Sequence, residues 1–320
     1  MTVSRVIHGD PAVRDSTRQA VHAAIRELGY EPNLTARNLA GAGEVRIGVI
    51  YSNPSAAFMS DFLVGVFEEA TGAGVRLILT KGEDGVAPTA ADIERMLDTG
   101  VQGVVLAPPL GESAMVRDML RAARLPVAVV AAGRPPADAI NVRIDDRQAA
   151  YAMARHLLDL GHRHIGFIVG NPNQSASAER LEGCLAAIGE VEGAELVRAQ
   201  GAFSYASGLR AAEELLDAAD PPTAVFASND DMAAATVSVA HRRHLDVPRD
   251  LTVVGFDDTT VATTLWPPLT TVRQPVRQMA AVALDRLRRV LRSAEGVGGD
   301  HVLPHALIER ESTAPPRARA

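Results

Sequence analysis

The sequence predicts an α/β fold in which two parallel sheets, each flanked by helices, form two lobes behind a short all-α segment. Three observations support this prediction. From Val45 onwards, short apolar segments alternate with amphipathic helical segments, which is typical of parallel sheets covered by helices. The strand-like segment Ile47–Pro54 has a near-repeat at Ile165–Pro172. Residues 1–43, by contrast, have a helical pattern.

The all-α segment contains two predicted helices. The first is Ser16–Leu28, because its apolar residues recur at helical spacing and Gly29 can end it. The second is Pro32–Ala40, because proline suits the first turn of a helix and a glycine follows the last residue. The run Gly41–Gly43 is then predicted to be a flexible joint before the first strand.

Helical segments separate most of the apolar segments that we predict as strands. A last helix is predicted around Val276–Leu291, a closing strand near Val302–Ile308, and a disordered tail after Ser312. The other predicted strands are Val45–Tyr51, Val75–Leu79, Gly103–Leu106, Val127–Val130, Asn141–Ile144, His164–Val169, Ala224–Phe226, Leu251–Gly255 and Thr270–Arg273.

The near-repeat predicts two similar lobes with a cleft between them. Each copy is an apolar strand ending in Asn-Pro, followed by a polar loop and a helix. The alternative is one large sheet with an accidental similarity. Because parallel sheets bind ligands beyond the carboxyl ends of their strands, the loops Ser52–Met59 and Asn171–Arg180 are the first candidates for a site. The predicted division is a segment 1–43, a two-lobed domain 44–314 and a disordered tail 315–320. Within the domain, the N-lobe is about 45–144 and 275–301, and the C-lobe about 145–274 and 302–314.

Composition excludes several classes of protein. A chain of 320 residues can form about two domains with large cores. Cys184 is the only cysteine, which excludes an intrachain disulfide and a cysteine-rich zinc site. We find no run of about 18 apolar residues and no secretory signal, so no membrane contact is predicted and the predicted location is the cytoplasm. The net charge of −7 opposes a surface covered with nucleic acid but allows a local DNA-binding module.

No catalytic motif is found, and neither a cofactor nor a metal is predicted. The carboxylate pairs Asp230-Asp231 and Asp257-Asp258 follow apolar strands and could serve a hydrolase as acid and base. We favour hydrogen bonding to a ligand together with helix capping, because adjacent side chains point in different directions. His162 and His164 lack a carboxylate or thiolate close by in the sequence and are not predicted to bind a metal.

The run Thr2-Val3-Ser4-Arg5-Val6-Ile7-His8-Gly9 resembles the recognition helix of the lactose/galactose-repressor family. The resemblance extends over nearly the whole chain, and the order and spacing of the similar stretches make it highly specific. It implies a ligand-responsive transcription factor, usually a repressor, with a DNA-reading headpiece, a hinge helix and a two-lobed sensor similar to periplasmic sugar-binding proteins. Other similar stretches are Leu28–Asn33, Ala36–Ala40, Leu160–Gly166, Val253–Asp258, Pro267–Pro275 and Leu307–Ser312.

The resemblance implies a homodimer that reads a near-palindromic operator. A helix-turn-helix places the start of its second helix against base edges, so Arg5 is a candidate for a bidentate contact to guanine. Leu39 matches the leucine that wedges into the minor groove, the alternative being ordinary packing. The predicted DNA-binding residues are Thr2, Ser4, Arg5, His8, Arg37 and Leu39.

The chain departs from the family pattern at its start, because the family headpiece begins about a full helix earlier. Two explanations are a wrongly assigned start codon, which we expect, and a truncated chain that binds DNA poorly. In the second case the chain would be a sugar-binding protein without DNA binding. A sugar-transport protein would need a signal peptide and leaves Thr2–Ala40 unexplained, and a carbohydrate-active enzyme would require turnover.

The resemblance also implies an effector site between the lobes. Arg180 and Asp257 could bind vicinal hydroxyls by charge-assisted hydrogen bonds, and Phe58 or Phe203 could stack on the ligand or pack between the lobes. Purine-binding members have Arg and Thr where this chain has Gln174 and Ala176, so a sugar or sugar derivative is favoured. The predicted effector residues are Ser52, Phe58, Gln174, Arg180, Phe203, Asn229 and Asp257.

Overall fold

The chain divides into two compact units, Met1–Glu44 and Val45–Ala320. The structure is a computed structural model that describes Thr17 and residues 45–83, 85–292 and 298–317. The two helices predicted before Gly41 and the six predicted DNA-binding residues lie outside the described residues, apart from Thr17. The second unit is described below.

Strands and helices alternate along the described part of the second unit. The strands are β1 Val45–Tyr51, β2 Val75–Lys81, β3 Gly103–Leu106, β4 Val127–Val130, β5 Ile140–Arg143, β6 His164–Val169, β7 Glu195–Gln200, β8 Ala224–Ala227, β9 Thr252–Val254, β10 Thr271–Arg273, β11 Gly299–Val302 and β12 Ala306–Ile308. The helices are α1 Ala56–Ala73, α2 Ala90–Asp98, α3 Ala114–Ala122, α4 Asp146–Asp159, α5 Ser175–Ile188, α6 Tyr205–Leu216, α7 Asp230–Arg242, α8 Thr260–Thr264 and α9 Val276–Arg292, with a 3₁₀ turn at Leu110–Glu112.

The strands form two parallel sheets, and each sheet is the centre of one lobe. The N-lobe sheet has six strands in the order β11-β5-β4-β3-β1-β2, and the C-lobe sheet has four in the order β7-β6-β8-β9. A two-stranded antiparallel ribbon, β10-β12, lies beside β9. The prediction of an α/β fold with two helix-flanked parallel sheets is therefore confirmed.

The near-repeat seen in the sequence corresponds to the same position in both sheets. β1 lies between β2 and β3 and leads into α1, and β6 lies between β7 and β8 and leads into α5. The alternative of one large sheet is therefore wrong. Both sheets are apolar on their two faces, as parallel sheets covered by helices require, so that the side chains of Ile47, Val104, Phe167 and Val225 are all fully buried.

Three segments differ from the prediction. The single closing strand predicted near Val302–Ile308 is two strands, β11 and β12, which belong to different sheets. β7 does not appear among the predicted strands because it is a sheet edge with the mixed sequence ELVRAQ, in which only Ala199 is fully enclosed. The tail predicted to be disordered is hydrogen-bonded as far as Arg317. The backbone N–H of Ala314 donates to Thr252 Oγ1 at 3.0 Å, and Arg317 donates to Asp250 at 2.7 Å. These partners are more than 60 residues away, so the local composition does not reveal them.

The chain passes between the two lobes three times, and the second of these crossovers lines the cleft through Gln274. The crossovers join β5 to α4, β10 to α9, and β11 to β12. Because the strands of both sheets run parallel, their carboxyl ends and the loops that follow them face the space between the lobes. The exact lobe boundaries given above stay a proposal.

Candidate effector-binding site

A cleft lies between the lobes, and its lining comes from both of them. The space between its walls, including the open solvent at its mouth, is about 310 Å³. Five lining residues belong to the N-lobe, six to the C-lobe, and one lies at the β10–α9 crossover. In this order they are Asn53, Ser55, Phe58, Pro108, Ala131, Gln174, Ala176, Arg180, Phe203, Asn229, Asp257 and Gln274.

The structure brings six of the seven predicted effector residues to this cleft: Phe58, Gln174, Arg180, Phe203, Asn229 and Asp257. Their contact with an effector stays a prediction. Ser52 is not among the lining residues, because its hydroxyl donates to the carbonyl oxygen of Val86 at 2.6 Å. The neighbouring Asn53 and Ser55 line the cleft instead.

Arg180 is the most heavily bonded residue of the C-lobe wall. It is buried on α5, and its Nε–H donates to Asp146 Oδ1 at 2.8 Å while Nη1 donates to the carbonyl oxygen of Ser228 at 2.5 Å. The guanidinium carbon lies 3.6 Å from the centre of the Phe256 ring, within the range of a cation–π contact. A guanidinium has five N–H donors, so donors remain for an effector hydroxyl.

Asp146 is a residue that the sequence analysis missed. It is the first residue of α4, directly after a crossover, and it is buried against Arg180. Burial raises the pKa of Asp146, and the Arg180 guanidinium acts against this rise. A carboxylate at the start of a helix usually indicates capping, so no local signal distinguishes it from the neighbouring Asp145, which does accept from the backbone N–H of Gln148.

Asp257 and Gln274 form the second polar pair of the cleft. The Gln274 amide nitrogen donates to Asp257 Oδ1 at 2.5 Å, and the same carboxylate lies 3.8 Å from Arg180 Nη1. Gln274 is a second functional candidate that the sequence analysis did not single out, although it lies within the family-like stretch Pro267–Pro275. Arg180, Asp257 and Gln274 thus form one connected polar surface.

Two buried amide atoms in the cleft have no hydrogen-bond partner among the described residues. They are the nitrogen Nε2 of Gln174 and the oxygen Oε1 of Gln274, and both side chains are 4% exposed. An unpaired buried polar group costs free energy, so native proteins leave few of them and each needs an explanation. Water or a ligand with complementary groups can satisfy this unpaired donor and this unpaired acceptor.

Phe203 and Asn229 depend on each other. The Asn229 amide nitrogen donates to the carbonyl oxygen of Phe203 at 3.0 Å, and its Oδ1 caps α7 by accepting from the backbone N–H of Met232. Asn229 therefore lines the cleft with an amide whose nitrogen and oxygen both already have hydrogen-bond partners. The ring of Phe203 is buried 5.6 Å from the Arg180 guanidinium, where it can contact an effector.

The backbone around the cleft contains sparsely populated conformations. Six non-glycine residues in the described ranges have positive φ, and three of them line the cleft: Ala131 at 56°, Phe203 at 63° and Asp257 at 111°. Such conformations cost about 1–3 kcal/mol each and persist where the surrounding structure holds them, which is common at functional sites.

The two acidic pairs have separate roles. Asp230 accepts hydrogen bonds from Thr259 and Thr271, and so holds the turn that carries Asp257. The helix capping expected of the acidic pairs is not made by Asp258, because its carboxylate is bound by Arg273 and by Arg310, each at 2.6 Å. These arginines are distant in sequence, so the residues next to Asp258 give no sign of them and favour a cap.

Burial strongly affects the ionisation of this acidic cluster. It raises the pKa of Asp230 to about 7, against the hydrogen bonds from Thr271 and Thr259. It also raises the pKa of Asp257 well above the usual range, against the attraction of Arg180, and the charge on Asp230 adds to this rise. The two carboxyls therefore titrate as a pair.

This pair predicts an unusual pH dependence of stability. Between about pH 4 and pH 7 the folded protein holds protons that the unfolded chain has released, so the free energy of unfolding falls as the pH rises, by about 2–4 kcal/mol. Urea titrations at steps across this range should show the fall, and Asp257→Asn should reduce its slope. Asp250→Asn, which alters a half-buried carboxyl whose pKa is lowered, should leave the slope as it is. A stability that is flat or rising across the range contradicts the prediction.

One group of side chains outside the cleft has the composition of a metal site. The ligand atoms of His164, Glu195 and Asp220 lie within 4.8 Å of one another. His164 has no carboxylate close by in the sequence, but the fold brings Glu195 of the neighbouring strand β7 to it. Glu195 Oε1 lies 2.6 Å from His164 Nδ1. Because Nε2 also faces the backbone carbonyl of Asp220 at 3.0 Å, both ring nitrogens already have protein partners.

Comparison with known proteins identifies the family. Residues 1–33 match the profile of the lacI family of bacterial regulatory proteins, and residues 154–313 match that of the periplasmic binding protein-like domain. Catabolite control protein A of Priestia megaterium is 33% identical over 318 residues, which are 98% of this chain and 95% of that protein. The chain belongs to the lacI family.

Solved structures of lacI-type regulators have the same fold as this lacI-family chain. A complex of the transcriptional regulator CelR with cellobiose is 31% identical, covers 97% of this chain and 94% of its own, and has a TM-score of 0.75. The lac repressor dimer bound to operator and the anti-inducer ONPF is 27% identical, covers 98% and 94%, and has a TM-score of 0.76. The expected family and its periplasmic-binding-protein-like fold are therefore confirmed. No helix within the described ranges is long and apolar enough to span a membrane.

Proposed function

We propose that this lacI-family regulator is a repressor that binds operator DNA as a homodimer and changes its DNA affinity when a sugar or sugar derivative binds in the cleft. The observation that carries the proposal is the joint match to lacI-family regulators over 98% of the chain, including the headpiece profile at residues 1–33. Relatives of known structure support its parts, since one is bound to cellobiose and another is a dimer bound to operator DNA.

The chemistry of the cleft supports a sugar. Sugar hydroxyls are both donors and acceptors, and the cleft offers the unpaired donor of Gln174, the unpaired acceptor of Gln274 and the polar pair Arg180 and Asp257. Phe58 and Phe203 add two apolar faces on opposite sides, and a pyranose ring has apolar faces of its own. This mixture of a few polar groups with aromatic rings is typical of small-molecule sites.

The proposed mechanism is a shift between two arrangements of the lobes. An effector that contacts Phe58 of one lobe and Arg180 of the other stabilises the arrangement in which both reach it. The coupling to DNA is reciprocal. If the effector changes the affinity of the protein for the operator by some factor, the operator changes the affinity of the protein for the effector by the same factor. Turnover is not part of the proposal: Asp230 and Asp257 are engaged in holding the cleft.

In the headpiece we propose that Arg5 reads a guanine and that Leu39 enters the minor groove, with Thr2, Ser4, His8 and Arg37 as further contacts. These roles rest on the family resemblance. A protein that reads chromosomal DNA acts in the cytoplasm of a bacterium, so we propose this location.

Selection of bound duplexes from a random-sequence pool tests the proposal. The full chain should enrich a site with two half-sites related by two-fold symmetry, and its affinity should fall steeply as the salt concentration rises. Enrichment of no sequence would contradict the DNA-binding part and would leave a sugar-binding protein without an operator.

A further inference from the structure

We infer that Glu112, Gly133 and Arg134 of the N-lobe form a clamp on the start of α5, and that this clamp positions the C-lobe wall of the cleft. We call these three residues the interlobe clamp. Glu112 lies in the 3₁₀ turn after β3, and the other two residues lie in the loop after β4. The inference rests on the proposed function only for the use of the cleft, because the contacts themselves are independent of any effector.

Glu112 supplies a helix cap from the opposite lobe. Gln174, the residue at the N-cap position of α5, makes no side-chain capping bond. Instead, the backbone N–H of Ser175 donates to both carboxylate oxygens of Glu112, at 2.9 and 3.1 Å. A carboxylate at a helix N-terminus is favourable, because the free N–H groups and the helix dipole attract negative charge. Ser175, which follows Gln174 in the chain, is therefore fixed by Glu112 and holds Gln174, with its unpaired amide, in place.

Arg134 binds the same helix through three further contacts. Its backbone N–H donates to the Ser175 hydroxyl oxygen at 2.7 Å, and its guanidinium donates to Glu179 at 2.7 Å and to Glu182 at 2.8 Å. The two glutamates lie one turn apart on α5, so one arginine bridges both. The Arg134 side chain is 61% exposed, and salt should weaken its ion pairs.

Gly133 lets the two backbones approach. A Cβ atom at this position would lie 2.6 Å from the backbone nitrogen of Ala176, a distance that real Cβ atoms do not show. The φ angle of Gly133 is outside the left-handed region, so alanine is excluded by this contact and not by the conformation. Any side chain here must push α5 away from the N-lobe.

A distance measurement between the lobes tests the clamp without an effector. Spin labels on Asp118→Cys of the N-lobe and Arg249→Cys of the C-lobe report the separation, since both positions are well exposed. The native Cys184 stays unlabelled because it is fully buried and burial raises its pKa to about 12. Labelled chains are mixed with an excess of unlabelled chains, so that only distances within one protomer are recorded.

The clamp predicts a graded response. We call molecules closed when the two labels have the separation expected from the structure, and open when the separation is longer. Arg134→Ala should raise the ratio of open to closed molecules up to about fivefold, which is the range of an exposed ion pair. Arg134→Glu should raise it more, because it places like charges together, and combining it with Glu179→Arg and Glu182→Arg should restore the closed population. Gly133→Ala should open the lobes without any change of charge.

The control is Arg95→Glu, which reverses the charge of an exposed arginine that pairs with Asp92 on its own helix. It should leave the distances unchanged. All variants should unfold as cooperatively as the wild type, since Arg134 lies at the surface. Distances in Arg134→Glu and Gly133→Ala identical to those of the wild type would overturn the inference. The result is independent of the sugar proposal, because a clamp that opens as predicted stands even if no sugar binds.

Discussion

Replacing Arg180 with alanine is expected to lower the free energy of unfolding by about 3–5 kcal/mol, because it leaves the buried Asp146 carboxylate without its charged partner. The same substitution should weaken effector binding by about a hundredfold, which corresponds to the loss of one charge-assisted hydrogen bond of about 1.5–3 kcal/mol. Urea titration measures the first effect. Calorimetry, with the sugar that stabilises the wild type, measures the second.

A second substitution separates the two effects. Asp146→Ala combined with Arg180→Ala should be more stable than Arg180→Ala alone, because neither charge is then left unpaired, yet it should bind the effector no better. The exposed Arg95 is the control, and Arg95→Ala should change stability by less than about 0.5 kcal/mol. An Arg180→Ala variant with wild-type stability and affinity would contradict the assigned role.

Gln174→Met is expected to have opposite effects on stability and on binding. The buried amide nitrogen of Gln174 has no partner among the described residues. Replacing it with an apolar side chain of similar length should raise the free energy of unfolding by about 1 kcal/mol, because an unpaired buried donor costs about 1–3 kcal/mol. It should also lower effector affinity about tenfold, which corresponds to the loss of one hydrogen bond.

Gln200, an exposed residue at the end of β7, is the control, since its amide nitrogen donates to the carbonyl oxygens of Gly170 and Gly201 at 2.7 and 2.6 Å. Gln200→Met should therefore lower stability by about 1 kcal/mol and change effector affinity little. The pair of variants compares an unpaired with a paired glutamine. If Gln174→Met is less stable than the wild type and binds equally well, the unpaired amide does not serve the effector.

Features that follow from local pattern could be predicted from the sequence. The apolar strands and the near-repeat specify two parallel sheets, because alternation of strand and helix is a property of consecutive residues. β7 could not be predicted in this way, since an edge strand with the sequence ELVRAQ has no continuous apolar run. The order of the last elements was also incomplete, because β11 and β12 belong to different sheets although only three residues separate them.

The site was predicted only as far as a resemblance could indicate it. Six cleft residues were carried over by position from the family resemblance, whereas Asp146 and Gln274 have roles that depend on contacts 34 and 17 residues away in sequence. The role of Asp258 could not be predicted from the local sequence either, because its distant arginine partners make it an ion-pair residue instead of a cap. The interlobe clamp is likewise invisible in the sequence, because it joins residues of two lobes.

Thermal unfolding of the full chain with a panel of sugars, sugar phosphates, nucleosides and purines tests the central claim most directly. An effector at about a hundred times its Kd should add about 2.7 kcal/mol to stability, which is about 5–10 °C for a domain of this size. We predict such a rise with a sugar or sugar derivative, and its loss in Arg180→Ala. A rise only with a nucleoside or purine, or an undiminished rise in Arg180→Ala, would contradict a sugar site in this cleft.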